Sequence, residues 1–324
     1  MYKLPFAIIR LPKCSKYFLI ENDKNGSNLY TFNSFNNSKQ YKLSYHKLIE
    51  IERPEFKNLN FSLRDSEDVK ILKKSDYISL VNKTIDNIKN SNALKIVISR
   101  NLWLPRLNIN PINSFLALCD ANPNSFCHLS VWNNDEIWIG STPEILGYYN
   151  NSIFKTMALA GTLPNKNSYH WSEKEIYEQK LVSDYIIQTL KIYCDNISIL
   201  GPETYGLNHI KHLVTHFSSQ IKNDKSIYEL INALHPTPAV CGLPLNLSKK
   251  FIDENEGYDR DFYAGFIGVE DVNFKQYFVN LRCGKLFSNG ALLYVGGGIT
   301  AQSIPEKEWL ETEMKSKIIV DCLL

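Results

Sequence analysis

Segments with the patterns of strands and of helices alternate twice along this chain of 324 residues. The first series runs from an apolar segment at residues 94–100 to a helix-like stretch at 172–182, and the second runs from a strand near residue 266 to a helix-like stretch at 308–315. No linker, low-complexity tract or short repeat interrupts them. This alternation predicts a mixed α/β architecture. Length alone would suggest about two domains.

The first 60 residues are dominated by short strands. Strand-like runs at 6–9, 17–21 and 29–32 are separated by Asn, Ser and Gly turns, which predicts a small sheet that completes a larger one. Farther along, apolar periodicity predicts amphipathic helices at 76–90, 111–119 and 172–194.

Two charged residues stand at positions where charge is unexpected. Lys95 opens an apolar strand, and Glu144 lies at a strand-to-turn corner after Thr142 and Pro143. Burial depresses the pKa of an ammonium group and raises that of a carboxylate, so a facing Lys and Glu in a cleft could act as base and acid. Such a pair suits the addition of water at one carbon while a hydroxyl leaves another. The alternative is a structural lysine paired to a buried carboxylate.

Pairs of glutamates recur on two helix-like stretches. Glu175 and Glu178 are three residues apart, as are Glu308 and Glu311, and Lys315 follows one turn later. Residues at this spacing share one helix face. Two carboxylate pairs that face each other would form an all-oxygen site of the kind Mg²⁺ prefers. Either pair alone is more typical of a solvated helix face.

A glycine run and an arginine could bind an anion. Gly296, Gly297 and Gly298 end a strand-like segment, and Arg282 lies in an earlier one at 276–283. Glycines let backbone N–H groups approach an anion closely, while a guanidinium group can bind a carboxylate through two parallel hydrogen bonds. A hairpin turn with a structural arginine is the alternative.

Three histidines have a spacing found in zinc sites. On a helix, His209, His212 and His216 would present their imidazoles on one face. The surrounding sequence alternates like a strand, in which His209 and His212 point to opposite faces. We therefore do not expect zinc here.

Two longer segments resemble the signature of a known family. Residues 235–242 read HPTPAVCG and residues 258–268 read YDRDFYAGFIG. Together with the blocks described above, they follow the order found in the chorismate-utilising enzymes, which include isochorismate, salicylate, anthranilate and aminodeoxychorismate synthases. The resemblance covers residues from about 90 to 320. It implies a single domain over 1–324, with two layered, mostly antiparallel sheets flanked by helices. Residues 1–85 would form a variable N-terminal sheet portion and 86–324 the catalytic core.

Three positions resemble the isochorismate synthase branch. Lys95 stands where that branch has a water-activating lysine and the ammonia-using anthranilate branch has glutamine. Ala160 replaces the ring-attacking lysine of aminodeoxychorismate synthases, and Ala239 stands where other branches tend to have threonine. The resemblance thus implies conversion of chorismate to isochorismate. Salicylate synthase, which shares the lysine, and a catalytically silent chorismate-binding relative remain alternatives, and the choice between menaquinone and siderophore pathways stays open.

The same resemblance implies roles for individual residues and a Mg²⁺ cofactor. The implied catalytic residues are Lys95, Glu144 and His235, with His235 beside the leaving hydroxyl. The implied substrate-binding residues are Gly161, Thr162, His212, Thr215, Ala239, Arg282, Gly296, Gly297 and Lys315. The implied metal ligands are Glu178 and Glu311, with Glu175 and Glu308 close behind.

Charge, apolar runs and cysteines limit the binding partners and the cellular location that we expect for this protein. The formal charge of +2 is spread without a basic stripe, so nucleic acid is not expected. No run of about 18 apolar residues is present, and the first ten residues are too short and too charged for the apolar region of a signal peptide. The seven cysteines are odd in number and lack a Cys-x-x-Cys pair. We expect a reduced, cytoplasmic protein away from membranes, acting as a monomer on chorismate without a glutaminase subunit.

Overall fold

The computed structural model describes residues 4–58, 62–66, 70–106, 108–133, 136–166, 168–207, 210–222 and 226–324. In chain order the strands are β1 (Phe6–Arg10), β2 (Tyr17–Glu21), β3 (Asn28–Asn33), β4 (Gln40–Tyr45), β5 (Ile49–Ile51), β6 (Lys95–Pro105), β7 (Phe126–Asn133), β8 (Glu136–Thr142), β9 (Ile145–Asn150), β10 (Ile153–Pro164), β11 (Cys194–Leu207), β12 (Ile210–Ile221), β13 (Gly242–Leu243), β14 (Phe266–Glu270), β15 (Lys275–Val279), β16 (Cys283–Phe287) and β17 (Gly290–Ile299). The helices are α1 (Lys74–Asn90), α2 (Pro111–Ala121), α3 (Glu173–Tyr193), α4 (Ser226–Leu234), α5 (Leu245–Asn255) and α6 (Pro305–Val320).

The strands form two large sheets. A nine-stranded sheet has the order β13-β6-β17-β16-β8-β7-β1-β2-β5, and an eight-stranded sheet has the order β11-β12-β10-β9-β15-β14-β3-β4. Every strand pair in both sheets is antiparallel. The predicted α/β fold with two layered, mostly antiparallel sheets and flanking helices is therefore confirmed.

The main core lies between the two sheets, and a second core covers the other face of the nine-stranded sheet. On β1, Ala7 and Ile9 belong to the core between the sheets, whereas Phe6 and Ile8 belong to the second core, which α2 covers with Phe115. This alternation follows from the two-residue period of a strand, and it buries both faces of β1. The N-terminal strand is thus an internal part of the fold.

The predicted helices at 76–90, 111–119 and 172–194 are confirmed as α1, α2 and α3. Helix α2 begins with Pro111, whose missing N–H costs nothing at a first position, and the Asn110 side chain accepts a hydrogen bond from the Asn113 N–H. At the start of α3, the Glu175 carboxylate accepts from the backbone N–H of Ser172 at 3.0 Å and from its hydroxyl at 2.6 Å. This reciprocal cap fixes the beginning of α3.

The N-terminal strands lie where they were predicted and complete the larger sheets, as expected, but they do not form a small sheet of their own. Strands β1, β2 and β5 extend the nine-stranded sheet, while β3 and β4 extend the eight-stranded sheet through β14. Each of these strands forms its hydrogen bonds within one of the two large sheets, so the N-terminal strands do not pair into a third sheet. Helix α1 also crosses the proposed division at residue 85.

Two neighbouring crossovers carry the chain from one sheet to the other. Pro143 and Glu144 connect β8 to β9, and residues 280–282 connect β15 to β16. The crossovers are joined by hydrogen bonds from the Val279 N–H to the Glu144 carbonyl at 3.1 Å and from the Ser141 N–H to the Arg282 carbonyl at 3.2 Å. Glu144 and Arg282 are thereby fixed near each other between the layers.

One local prediction needs correction. The segment at 276–283 was predicted as one strand, but it breaks after Val279 because the chain there changes sheets. The three glycines were predicted to end a strand, and they lie near the end of β17, where they pair with β6. Strand β16 pairs with β17 only as far as Tyr294, so beyond that point one edge of β17 is available to other groups.

No helix within the described ranges combines the length and the apolar character needed to cross a membrane.

Candidate active site

A cleft with about 690 Å³ of empty space opens where the two crossovers meet. Nine of the predicted site residues line it: Glu144, Gly161, Thr162, Glu178, His212, Ala239, Arg282, Gly296 and Lys315. They come from both sheets, α3, α6 and the loops between them, so the fold assembles the site from distant parts of the sequence.

Glu144 is a buried acid on the cleft wall, with 3% of its surface exposed. Burial raises its pKa to about 7, although the positive charges of Lys95, Arg282 and Lys315 act in the opposite direction. A carboxyl group with this pKa can hold or release a proton near neutral pH.

Lys95 lies at the start of β6 and is fully buried. Its Nζ is 2.9 Å from Oε1 of Glu178, and Glu178 in turn lines the cleft. Burial alone would raise the pKa of Glu178, but Lys95, with Lys174 and Lys315, lowers it below the ordinary value. Lys95 therefore stands one contact behind the cleft wall, paired to a buried carboxylate.

A chain of hydrogen bonds positions Arg282. His212 Nδ1 donates to the Gly161 carbonyl at 3.0 Å, which leaves Nε2 to accept from Arg282 Nη2 at 3.1 Å. Burial and the nearby cations hold the pKa of His212 well below its usual range, so the ring is neutral and this tautomer is consistent with both contacts. Burial also lowers the pKa of Arg282 to about 10.

One nitrogen of the Arg282 guanidinium group is not used in a hydrogen bond within the described residues. Its Nη1 is buried and has no hydrogen-bond partner among the described residues. A buried guanidinium group with an unused N–H pair is a strong site for a carboxylate. Arg282 has a φ of 47°, in the left-handed region. This unfavourable backbone conformation occurs at the crossover between the two sheets, whose contacts hold it in place.

The β10 strand bulges beside this group. Its register against β12 shifts between Ala160 and Thr162, and Gly161 has a φ of 72°. A Cβ at Gly161 would lie 3.2 Å from the Glu175 Cβ and carbonyl oxygen. Glycine is therefore required by both the backbone conformation and the close approach of α3.

Carboxylates from α3 and α6 meet at the glycine run. A Cβ at Gly298 would lie 2.4 Å from Glu178 Oε1, and a Cβ at Gly297 would lie 3.5 Å from Glu308 Oε2 and 3.9 Å from Glu311 Oε1. At position 298 only glycine leaves room for Glu178, whereas a Cβ at Gly297 would make ordinary van der Waals contacts. The predicted convergence of the two helices on one site is present in this geometry.

Lysines neutralise these carboxylates. Lys174 Nζ is 2.6 Å from Glu308 Oε1, and Lys315 Nζ is 2.7 Å from Glu311 Oε1 and 3.1 Å from the Gly296 carbonyl. Burial, followed by the charge of Glu311, raises the pKa of Glu308 to about 7. Glu308 Oε2 is buried without a hydrogen-bond partner in the described part of the chain.

The donor set partly fits Mg²⁺. Within the described ranges, no three His, Cys, Asp or Glu side chains are close enough together to hold a metal ion as they stand. The unpaired Glu308 oxygen is nevertheless a hard oxygen donor that a cation could use. It borders the space beside Gly297, where no side chain is present. Glu178, Glu308 and Glu311 are the residues that could hold it, whereas the Glu175 carboxylate is committed to capping α3.

Several predicted residues do not line the cleft. His235 Nε2 donates to the Phe35 carbonyl at 3.1 Å, and its ring packs edge-on against Phe266. Burial lowers the pKa of His235 to about 4. The structure thus places His235 in the core, and its assignment beside the leaving hydroxyl stays a prediction. Thr215 faces α3 instead, where its hydroxyl accepts from Gln179 Nε2 at 2.6 Å.

The three histidines that have the spacing of a zinc site can also be located. His209 lies outside the described residues. His212 is buried in the cleft, whereas the half-exposed His216 has Nε2 3.6 Å from Glu203 Oε1 in a separate surface depression.

Other residues of the cleft were missed by the sequence analysis. Two stacked tyrosines, Tyr263 and Tyr294, have ring centroids 5.7 Å apart, and a Cβ at Gly296 would lie 2.8 Å from the Tyr263 hydroxyl. Val97 and Leu159 add apolar surface. Tyr263 belongs to the quoted segment YDRDFYAGFIG, so its position in that signature was the available signal.

A buried ion pair supports the cleft wall from behind. Arg260 pairs with Glu256 and donates to the carbonyls of Val97 at 2.6 Å and Val240 at 2.9 Å. Glu256 Oε1 also accepts from the Ser99 N–H at 2.6 Å. These contacts tie the end of α5 to β6 and to the loop that carries Ala239.

A sequence profile described as "Chorismate binding enzyme" matches residues 12–324. The chain is 29% identical over 248 residues to the isochorismate synthase MenF of Haemophilus influenzae, covering 73% of this chain and 57% of that relative. It is 29% identical over 268 residues to the isochorismate synthase DhbC of Bacillus subtilis, covering 76% of this chain and 67% of the relative.

A solved structure shows the same fold. The putative 2,3-dihydroxybenzoate-specific isochorismate synthase DhbC of Bacillus anthracis superposes with a TM-score of 0.85 at 24% identity, covering 99% of this chain and 96% of that chain. Two antiparallel sheets with a cleft at their crossovers, together with the matched profile, define a chorismate-binding protein. The chain belongs to the chorismate-binding enzyme family. It spans 57% of the length of the Haemophilus relative.

Proposed function

We propose that this protein is an isochorismate synthase, an isomerase that adds water at C2 of chorismate and removes the C4 hydroxyl. The observation that carries the proposal is a cleft whose wall holds buried Glu144 and an unpartnered arginine nitrogen, with buried Lys95 one contact behind that wall through Glu178. The curated relatives named as isochorismate synthases support the same activity.

Chorismate carries two carboxylates, and the site must neutralise both without covering the ring. Arg282, through its free Nη1, and the Gly296 backbone would bind the pyruvyl carboxylate. Gly161, Thr162 and Lys315 would bind the ring carboxylate from the other side of the cleft. His212 acts through Arg282 by accepting from its second nitrogen.

Lys95 is the proposed base. It takes a proton from the water that forms the new bond to C2. In the structure its ammonium group pairs with Glu178, and a lysine acts as a base only when neutral. Glu178 is thus shared between the proposed base and the carboxylate set that would hold a cation.

Glu144 is the proposed acid. Its pKa of about 7 leaves a substantial protonated fraction at neutral pH. It gives its proton to the C4 hydroxyl, which leaves as water while the ring double bonds shift. One water enters and one leaves, so the reaction is an isomerisation with no oxidant or reductant.

We further propose Mg²⁺ as the cofactor, held by Glu178, Glu308 and Glu311. When bound, it would supply positive charge for the ring carboxylate. The chain's own contribution is to bring these oxygens together at a glycine run and to keep Lys174 and Lys315 beside them.

The proposal extends to the setting of the enzyme. Lysine at position 95 in place of glutamine supports activity without a glutaminase subunit. All seven cysteines are free, six of them buried, which supports a reduced, cytoplasmic location. A monomer acting on chorismate, without nucleic acid or membrane, remains our prediction.

Product analysis tests the activity. Purified protein is incubated with chorismate and Mg²⁺, and the products are separated by liquid chromatography. Isochorismate as the product supports the proposal. Salicylate and pyruvate, released as fast as chorismate disappears, would assign the protein to the salicylate synthases, and no turnover would indicate a silent relative.

A further inference from the structure

Helix α1 brings a buried phenol to the back of the glycine run. Tyr77 is fully buried, and its hydroxyl has no hydrogen-bond partner among the described residues. A buried hydroxyl left unpaired costs about 1–3 kcal/mol. Phenylalanine would avoid that cost and still supply the edge-on packing of this ring against Trp309, whose centroid is 5.9 Å away.

The hydroxyl lies beside an acceptor that also lacks a partner. A Cβ at Gly297 would be 3.5 Å from the Tyr77 hydroxyl and 3.5 Å from Glu308 Oε2. Both atoms therefore border the same small space, which the absence of a side chain at Gly297 keeps open. A phenol keeps its proton at neutral pH, so this hydroxyl can donate.

The other oxygen of Glu308 is already held. Lys174 Nζ contacts Oε1 at 2.6 Å, and Glu308 is 1% exposed. A carboxylate held at one oxygen can still pivot about that contact. A donor on the second oxygen would fix its plane.

We propose that Tyr77 is a positioning residue of the carboxylate site: its hydroxyl, unpaired as the structure stands, donates to Glu308 Oε2 when a divalent cation is bound and, together with Lys174 on Oε1, orients this carboxylate toward the cation. This inference rests on the metal site of the proposed function. It also gives the first 85 residues, predicted to lie outside the catalytic core, a direct part in the site. Partners that orient a metal ligand typically contribute 10–100-fold to metal affinity.

The test is Tyr77→Phe, measured by titration with Mn²⁺ and detection of the free ion by electron paramagnetic resonance. Chorismate is present throughout, and all proteins carry Glu144→Gln so that the substrate is not consumed. We expect Tyr77→Phe to weaken Mn²⁺ binding about 10–100-fold. The melting temperature should not fall, because the ring packing is retained.

Two comparisons separate positioning from packing. Tyr45→Phe is the matched control, since the Tyr45 hydroxyl donates to the Glu270 carbonyl at 2.9 Å in the other sheet and its loss should leave Mn²⁺ affinity unchanged. In a Glu308→Gln background, Tyr77→Phe should have little further effect, because Tyr77 acts through Glu308.

The outcomes are distinct. If the parent binds Mn²⁺ and Tyr77→Phe binds it equally well, the inference is overturned and the metal site stands. If Tyr77→Phe fails to fold, the hydroxyl is a structural group and the inference is again overturned. If the parent binds no Mn²⁺, or binds it unchanged after Glu311→Gln, the metal part of the proposed function fails, and the role of Tyr77 fails with it.

Discussion

Lys95 and Glu144 are both buried, but they differ in how close their oppositely charged neighbours lie. Lys95 has a carboxylate at 2.9 Å, which balances its charge. Glu144 is surrounded by cations at longer range, and burial still dominates, so its pKa rises to about 7. The sequence predicted two unusual positions, and the structure adds the contact between Lys95 and Glu178 that links the proposed base to the proposed metal carboxylates.

Replacement of Lys95 tests the base. Lys95→Ala should lower kcat by ~10²–10⁴-fold, while chorismate still binds, because Arg282 and the cation provide most of the ground-state affinity. Steady-state kinetics and a binding titration measure the two effects separately. Lys180→Ala, which removes an exposed lysine that pairs with Asp184 on α3, is the control and should be unaffected. More than about a tenth of the original kcat in Lys95→Ala would rule out the assignment.

The pKa of Glu144 has a consequence for stability. Its folded pKa of about 7 exceeds the ordinary value of 4.5, so the folded state binds the proton more tightly than the unfolded state does. The resulting stabilisation is present below the ordinary value and is lost as the pH rises to about 7, by an amount on the order of 3 kcal/mol.

Glu144→Gln removes this dependence. We expect the free energy of unfolding of the wild type, relative to Glu144→Gln, to fall between pH 5 and pH 8. Urea denaturation of both proteins at the two pH values measures the difference. A constant difference would mean that Glu144 is ionised throughout and is not available as an acid at neutral pH.

At the scale of elements, the helices were predictable and the sheet crossovers were not. Helices α1, α2 and α3 follow apolar periodicity, and α2 and α3 also have local caps; both signals lie in neighbouring residues. The break at residues 280–282 depends on β15 and β16 pairing with strands from different sheets. No local pattern carries that information, so a continuous apolar segment was read as one strand.

The site residues show the same division. Glu144 and Arg282 could be predicted because a charged side chain at an apolar strand needs a reason, and Glu178 because it shares a helix face with Glu175. The motif gave His235 a role by resemblance, but it could not reveal its hydrogen-bond partner, the Phe35 carbonyl, which lies 200 residues away in the sequence. Tyr77 was missed because a tyrosine on the apolar face of a helix is ordinary core packing.

The ion pair between Arg260 and Glu256 tests the support behind the cleft. Arg260→Met leaves Glu256 buried without its partner, and loss of one member of a buried pair costs about 3–5 kcal/mol. Lys250→Met, which removes the exposed lysine that lies 3.9 Å from Glu254 on the same helix, should cost less than about 1 kcal/mol. Chemical denaturation measures both. Equal, small effects would show that the network does not hold α5 and β6 together.

At the scale of the whole molecule, the two-layer architecture came from the resemblance and not from periodicity. Length suggested two domains, whereas the two sheets share one core that includes Ala7 from β1 and Phe32 from β3. A single N-terminal segment supplies strands to both sheets, so the N-terminal part is built into each layer. The cleft lies at the crossovers between these layers, and its geometry therefore depends on the complete assembly.

The central claim is that Lys95 and Glu144 direct solvent water to C2 while the C4 hydroxyl departs. The most direct measurement is the reaction of chorismate with the purified protein and Mg²⁺ in water enriched in oxygen-18, followed by mass spectrometry of the product. We predict isochorismate with one oxygen-18 atom, located at C2. Isochorismate without the label would mean that the hydroxyl migrates within the substrate, and it would contradict the proposed roles of both residues.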